Sequence, residues 1–261
     1  MSEQPRYPTS IGTSDPTTIT LLGQDLAEEL MGQISFGELA FRLTAQRTPT
    51  AGQLRVFEAV LVALADHGFT PTAIASRLTL LSAPESVQGA MAAGLLGGGS
   101  RFLGVTEDTA KFLAEVLTTA DEPTDQQGWD EVARAAVRRR HEAGELVPGL
   151  GHPVHKQQDP RTPVLIRLAH EAETYGPHLA LFEAIGRAAP EVLGRHLPLN
   201  GAGVCGAALA DLGLPAELLR GYALLARAAG LLGHIAEEMR QPVAGEIYRA
   251  VDRNAAYVDP D

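Results

Sequence analysis

The sequence predicts an all-α protein. Three observations carry this: apolar residues recur at helical spacing from about residue 21 onward, several segments open on Ser or Thr three residues ahead of Glu or Gln, and convincing period-two alternation is hard to find. The 261 residues, 45% hydrophobic and 20% charged, suffice for one sizeable core or two unequal lobes sharing one.

The elements follow in order. Capping boxes are expected at Ser35/Glu38, Thr50/Gln53 and Ser82/Glu85, because each pair can satisfy the N–H groups left open at a helix start. After Thr50, residues Leu54, Phe57, Val60, Leu61 and Leu64 share one face, so this helix delivers Asp66-His67-Gly68 at its carboxyl end. From Pro84 to Leu103 small residues predict a central, closely packed helix ending in the glycine run at 97–99. A charged stretch from Thr106 to Glu145 is divided in two by Pro123 and Gly128. The passage from Pro148 to Lys156 is the least helical, and Asp159-Pro160 then caps and starts a helix with Arg161 in its first turn. Further helices are expected at about 161–175, 177–190, 201–212, 215–236 and 244–255.

Composition excludes several function classes. The single cysteine, Cys205, cannot form an internal disulfide, and its Gly/Ala/Val surroundings read as packing, so a cytoplasmic setting is expected. The amino terminus lacks the basic and apolar regions of an export signal, and no window approaches the roughly 18 apolar residues of a membrane span. A net charge of -11 argues against general nucleic-acid binding, while Arg138-Arg139-Arg140 has no interleaved aromatics and reads as a solvated helix face. The run Gly97-Gly98-Gly99-Ser100 lacks the strand and Lys of a phosphate loop, and no Gly-x-Ser-x-Gly elbow is present.

Chemistry concentrates in the loop around residue 150. His152, His155, Lys156 and Arg161 gather two imidazoles and two cations within ten residues, which suits a ligand with several carboxylates; a polar surface loop is the plainer alternative. Pro153 disfavours a helical His pair and no carboxylate cluster completes a ligand set, so no metal is expected. Taken alone, His67 reads as a histidine at a helix C-terminus, and His234 as part of an intrahelical ion-pair ladder with Glu237, Glu238 and Arg227.

Considered in order, the segments resemble the citrate synthase superfamily, in particular the short citryl-CoA lyase-like branch that includes the carboxyl-terminal module of ATP-citrate lyase. The resemblance runs from about residue 20 to 253. It rests on Pro148-Gly-Leu-Gly-His-Pro-Val-His-Lys with Asp159-Pro-Arg161, similar to P-G-x-G-H-x-x-x-K…D-P-R, and on Ala65-Asp-His-Gly68, Leu199-Asn-Gly-Ala202 and Ala226-Arg-Ala-Ala-Gly-Leu-Leu-Gly-His234. It implies a large helical lobe from 21–105 and 207–261, a small lobe from 106–206 and a loosely ordered segment at 1–20. It also implies a coenzyme A thioester as substrate with no other cofactor, and a homodimer. His67 and His152 would hold an oxaloacetate moiety, with His152 polarising its carbonyl. Arg161, Arg227 and Asn200 would bind the substrate, the arginines through its carboxylates, and Gly149, Gly151 and Lys156 would lie against the CoA.

Two positions depart from the pattern. The family's enolate-stabilising histidine, in H-G-G-A, falls on Gln88 of Val87-Gln-Gly-Ala90, and its catalytic aspartate, in N-V-D, falls on Ala202. Gln88 can still donate a hydrogen bond to an enolate oxygen, whereas Ala202 cannot move a proton. The expected function is therefore cleavage of citryl-CoA or a related 3-hydroxy-3-carboxyacyl-CoA, with His152 taking the hydroxyl proton. Citrate synthase-type condensation and a non-catalytic acyl-CoA or carboxylate-binding subunit are the alternatives.

Overall fold

The structure is a computed structural model that describes residues 6–120 and 123–260. It opens with three short antiparallel strands, β1 (Gly12–Ser14), β2 (Ile19–Leu21) and β3 (Gln24–Asp25), where the sequence offered no strand signal. At two or three residues each they are too short for alternation to register; their turns hold them instead. The Asp15 carboxylate accepts from the Thr17 and Thr18 N–H groups at 2.8 Å each, and Leu22 (φ 52°) with Gly23 (φ 80°) makes the tight turn between β2 and β3. A π-helical turn, Leu26–Leu30, follows.

Helices form the rest: α1 (Phe36–Ala45), α2 (Ala51–Ala65), α3 (Pro71–Ser82), α4 (Val87–Leu96), α5 (Val105–Thr119), α6 (Gln126–Glu142), α7 (Arg161–Glu171), α8 (Pro177–Leu193), α9 (Gly201–Asp211), α10 (Leu219–Arg240) and α11 (Ala244–Arg253), with a 3-10 turn at Ala216–Leu218. Thr50 and Gln53 form both halves of the expected box. Ser35 caps α1, but Glu38 turns to Arg42 instead of closing the box. The third box fails: Ser82 ends α3, Pro84 stops the chain there, and Ser86 caps α4 by accepting from the Gly89 N–H at 3.2 Å.

One apolar core runs through α1, α2 and α5 to α10, with Phe57 edge-on to both Phe41 and Tyr222 and with Phe182 and Leu113 fully buried. The helix expected to be central, α4, lies at the edge. It packs on α3 and α10 in a separate small cluster of Leu80, Ala90 and Ile235, with Leu96 left exposed, because its Gly and Ala side chains have little apolar area to bury. Among the described residues no helix is long and apolar enough to cross a membrane.

Candidate active site

The site forms where α2 ends, α7 and α9 begin, and α10 passes. Asp66 takes an extended conformation that turns the chain out of α2, and its carboxylate accepts from the Gly68 N–H at 2.8 Å. Alpha-helix α10 reaches this corner at Gly230: a Cβ there would sit 2.0 Å from the Ala65 carbonyl oxygen, so only glycine permits the approach. Arg227 and His234, about one turn to either side, are thereby brought to Asp66.

His234 does not join the intrahelical ladder that its spacing suggested. Its Nδ1 accepts from the buried Arg77 of α3 (Nε 3.0 Å, Nη2 2.8 Å), and Arg77 also donates to Glu238 at 2.8 Å, pairs with Glu237 and lies over the Phe69 ring. Guanidinium groups only donate, so the neutral His234 carries its proton on Nε2 and gives that hydrogen bond to Asp66 Oδ1 at 2.9 Å. Burial would raise the Asp66 carboxyl, but the Gly68 N–H and His234 outweigh it and hold it below its ordinary value.

Arg227 is 5% exposed, yet its Nε has no partner among the described residues, and Nη1 finds only Thr70 Oγ1 at 3.4 Å and Asp66 at 3.6 Å. Burial, with Arg161 nearby, lowers its pKa against the opposing pull of Asp66. A buried guanidinium with spare donors is prepared for an anionic ligand.

Across the site, the 148–159 loop is clamped to the segment before α9. Gly149 and Gly151 both have positive φ (83° and 84°); the Gly149 carbonyl accepts from Asn200 N–H at 2.8 Å and Gly151 N–H donates to the Pro198 carbonyl at 2.8 Å. Both ends of the Asn200 amide are committed: Oδ1 accepts from the Gly203 N–H as the cap of α9, and Nδ2 donates to the Gly151 carbonyl at 2.9 Å. Asn200 therefore positions the loop. Lys156 Nζ folds back on the His152 carbonyl at 3.1 Å.

Asp159 is fully buried and accepts four N–H groups: Arg161 N (3.1 Å), Nε (3.0 Å) and Nη2 (2.8 Å), and Gly201 N (2.7 Å). These outweigh the effect of burial and hold its carboxyl well below the usual carboxylate range. The Arg161 fork is thus largely engaged, its Nη1 donating to the Ala63 carbonyl at 3.2 Å. Beneath it lies buried Cys205, whose thiol is pushed up to about 12 by burial, in keeping with packing.

His67, His152 and His155 converge, with ring centroids 5.2 Å apart for His67 and His152, 5.9 Å for His67 and His155, and 4.5 Å for the stacked pair His152 and His155. Nδ1 of His152 accepts the Val154 and His155 N–H groups at 3.1 and 3.0 Å, which places the proton of the neutral ring on Nε2, 4.0 Å from Asp159. Burial lowers its pKa and the two neighbouring histidines add to this, against the opposing charge of Asp159, so the ring is neutral at pH 7. His152 is thereby a hydrogen-bond donor in this geometry, whereas taking the hydroxyl proton would need a bare Nε2.

The three histidines each offer a ring nitrogen within 4.8 Å of the others, a spacing that would also suit a metal ion. His152 argues against that use, since a metal on Nε2 would remove the last proton of a ring whose Nδ1 already accepts two hydrogen bonds, and the Arg161 cation already acts on this ring. The set suits a carbonyl or carboxylate oxygen. Gln88, exposed in the first turn of α4, makes no hydrogen bond to the cluster among the described residues, and Ala202 is half-buried in the first turn of α9. Arg77 escaped the sequence reading, although a lone cation in the apolar run Pro71–Ser82 signals a buried pair.

Among named relatives, a citrate synthase of Deinococcus radiodurans is 30% identical over 225 residues, 82% of this chain and 55% of that protein, so the chain spans just over half its length. A solved citryl-CoA lyase from Hydrogenobacter thermophilus superposes with a TM-score of 0.85 at 28% identity, covering 98% of this chain and 95% of that one. ATP citrate lyase from Methanothrix soehngenii, in complex with citrate and coenzyme A, superposes at 0.80 and 21% identity over 100% of this chain and 43% of its own, a likeness of fold. Residues 9–250 match the family described as citrate synthase, C-terminal domain, and the chain belongs to the citrate synthase family.

Proposed function

We propose that the protein is a carbon–carbon lyase that cleaves citryl-CoA, or a closely related 3-hydroxy-3-carboxyacyl-CoA, into acetyl-CoA and oxaloacetate. The observation that carries this is the near end-to-end likeness to a citryl-CoA lyase, 98% of one chain against 95% of the other, where the citrate synthase relative is matched over little more than half. The site's chemistry agrees with it. Arg227, and Arg161 through its remaining donors, take the carboxylates of the oxaloacetate half, and His67 borders it. His152 Nε2–H supports the oxygen that becomes the carbonyl. Gln88 donates to the thioester enolate, and Gly149, Gly151 and Lys156 lie beside the CoA. The thioester is the substrate and no further cofactor is required.

The same reading includes a homodimer in the cytoplasm and closure of a small lobe (106–206) over a large one (21–105 and 207–261), excluding water from the enolate. A second reading, a non-catalytic acyl-CoA or carboxylate-binding subunit, is favoured by one observation, the alanine at position 202. Purified protein mixed with citryl-CoA and an NADH-consuming oxaloacetate reductase separates the two. Steady NADH loss supports the lyase; CoA and oxaloacetate binding without turnover leaves the binding subunit.

A further inference from the structure

We infer that His155 carries the proton during cleavage; the inference rests on the citryl-CoA reading above and assigns the role that His152 cannot fill. Most titratable groups at the site are already committed. Asp159 is buried under four N–H donors. Asp66 accepts from His234 and Gly68 and faces Arg227. Both carboxylates are held in the charged form, and Ala202 adds none. Cys205 is fully buried. Lys156 is folded onto the His152 carbonyl, and Arg161 and Arg227 are permanent cations.

His234 has both ring nitrogens committed, to Arg77 and to Asp66. That leaves the imidazoles of the 67/152/155 cluster, of which His152 is locked as a donor by the Val154 and His155 N–H groups. Neither His67 nor His155 has a hydrogen bond to its ring among the described residues, so either ring can present a bare nitrogen. Two features favour His155. It is half-buried whereas His67 is exposed. Its ring also stacks on His152 at 4.5 Å and 28°, against 5.2 Å and 46° for His67, and its own backbone N–H is one of the two that lock His152. One short turn therefore holds a fixed donor and a free acceptor side by side, able to address the same substrate oxygen.

The step balances with this one group. His155 takes the proton of the tertiary hydroxyl, the O–H electron pair forms the new C=O, and the bond between the hydroxyl-bearing carbon and the thioester methylene breaks. Its electron pair passes to the thioester enolate. The imidazolium then returns the proton to that carbon, giving acetyl-CoA, so no carboxylate is needed and no proton is gained or lost overall.

The test compares wild type with His155→Gln, His155→Ala and His67→Gln, each checked for an unchanged thermal midpoint. His155→Gln is expected to lower kcat for citryl-CoA by about 10²–10⁴-fold with little change in KM and to remove the acidic limb of the kcat profile, and added imidazole is expected to restore part of the activity of His155→Ala. Full kcat with the acidic limb kept in His155→Gln, or a limb lost only in His67→Gln, overturns the inference. An inactive wild type instead rejects the citryl-CoA reading, and histidine ¹⁵N spectra of the oxaloacetate-bound protein then decide the assignment: His152 fixed as Nε2–H while His155 titrates supports it, and proton uptake by His152 or His67 with His155 unchanged overturns it.

Discussion

His234 gives its hydrogen bond to Asp66 from Nε2 because Arg77 already occupies Nδ1. The position of Asp66, and with it the turn that carries His67, thus depends on a buried cation from α3. Arg77→Met keeps much of the volume and removes the charge, leaving Glu238 buried without its cationic partner, held only by the Val243 and Ala244 N–H groups. A loss of about 3–5 kcal/mol is expected, read from the urea midpoint, together with weaker oxaloacetate binding. A variant as stable as wild type contradicts this chain of dependence.

Gly201 tests how tightly Arg161 is held. A Cβ at this position would lie 2.2 Å from Arg161 Nε, so Gly201→Ala has to displace the guanidinium from Asp159. Oxaloacetate affinity is expected to fall about 10-fold or more, about 1.4 kcal/mol by calorimetry. Affinity that survives the substitution means that Arg161 does not need its present pose to serve the site.

The Asp159 carboxyl is depressed in the folded state, so its contribution is present above the unfolded value of about 3.9 and is lost as pH falls toward the folded one. Asp159→Asn is expected to cost about 3 kcal/mol near pH 7, with the gap to wild type narrowing only below about pH 4. Thermal midpoints of both proteins from pH 3 to 8 measure it, and a gap that stays constant across that range removes the ion pair from the account.

These dependences also mark where the sequence was legible. Thr50 with Gln53 announces a helix start because a cap is settled by residues three apart. Asp159-Pro160 marks the start of α7 one residue early: the helix begins at Arg161 with Pro160 at the cap position, and Asp159 accepts the Arg161 N–H from just outside it. Ser82 with Glu85 carries the Thr50/Gln53 pattern and misleads, since Pro84 between them ends one helix before Ser86 begins the next. The strands at 12–25 are too short for periodicity and depend on Leu22 at positive φ. Arg77 and His234 are 157 residues apart, so helical spacing pointed His234 to the wrong partners. The motif around His152 located the imidazoles, but its proton position is decided by two backbone N–H groups that become neighbours only when the loop turns.

On the proposed lyase reading, this site breaks a carbon–carbon bond using imidazoles and guanidiniums in place of a free carboxylate. The most direct test is product analysis of citryl-CoA incubated with excess wild-type protein, with His152→Ala alongside. Equimolar acetyl-CoA and oxaloacetate from the wild type, with neither from the variant, is the predicted result. Citrate with free CoA, or intact citryl-CoA recovered from a protein that binds it, would contradict the account.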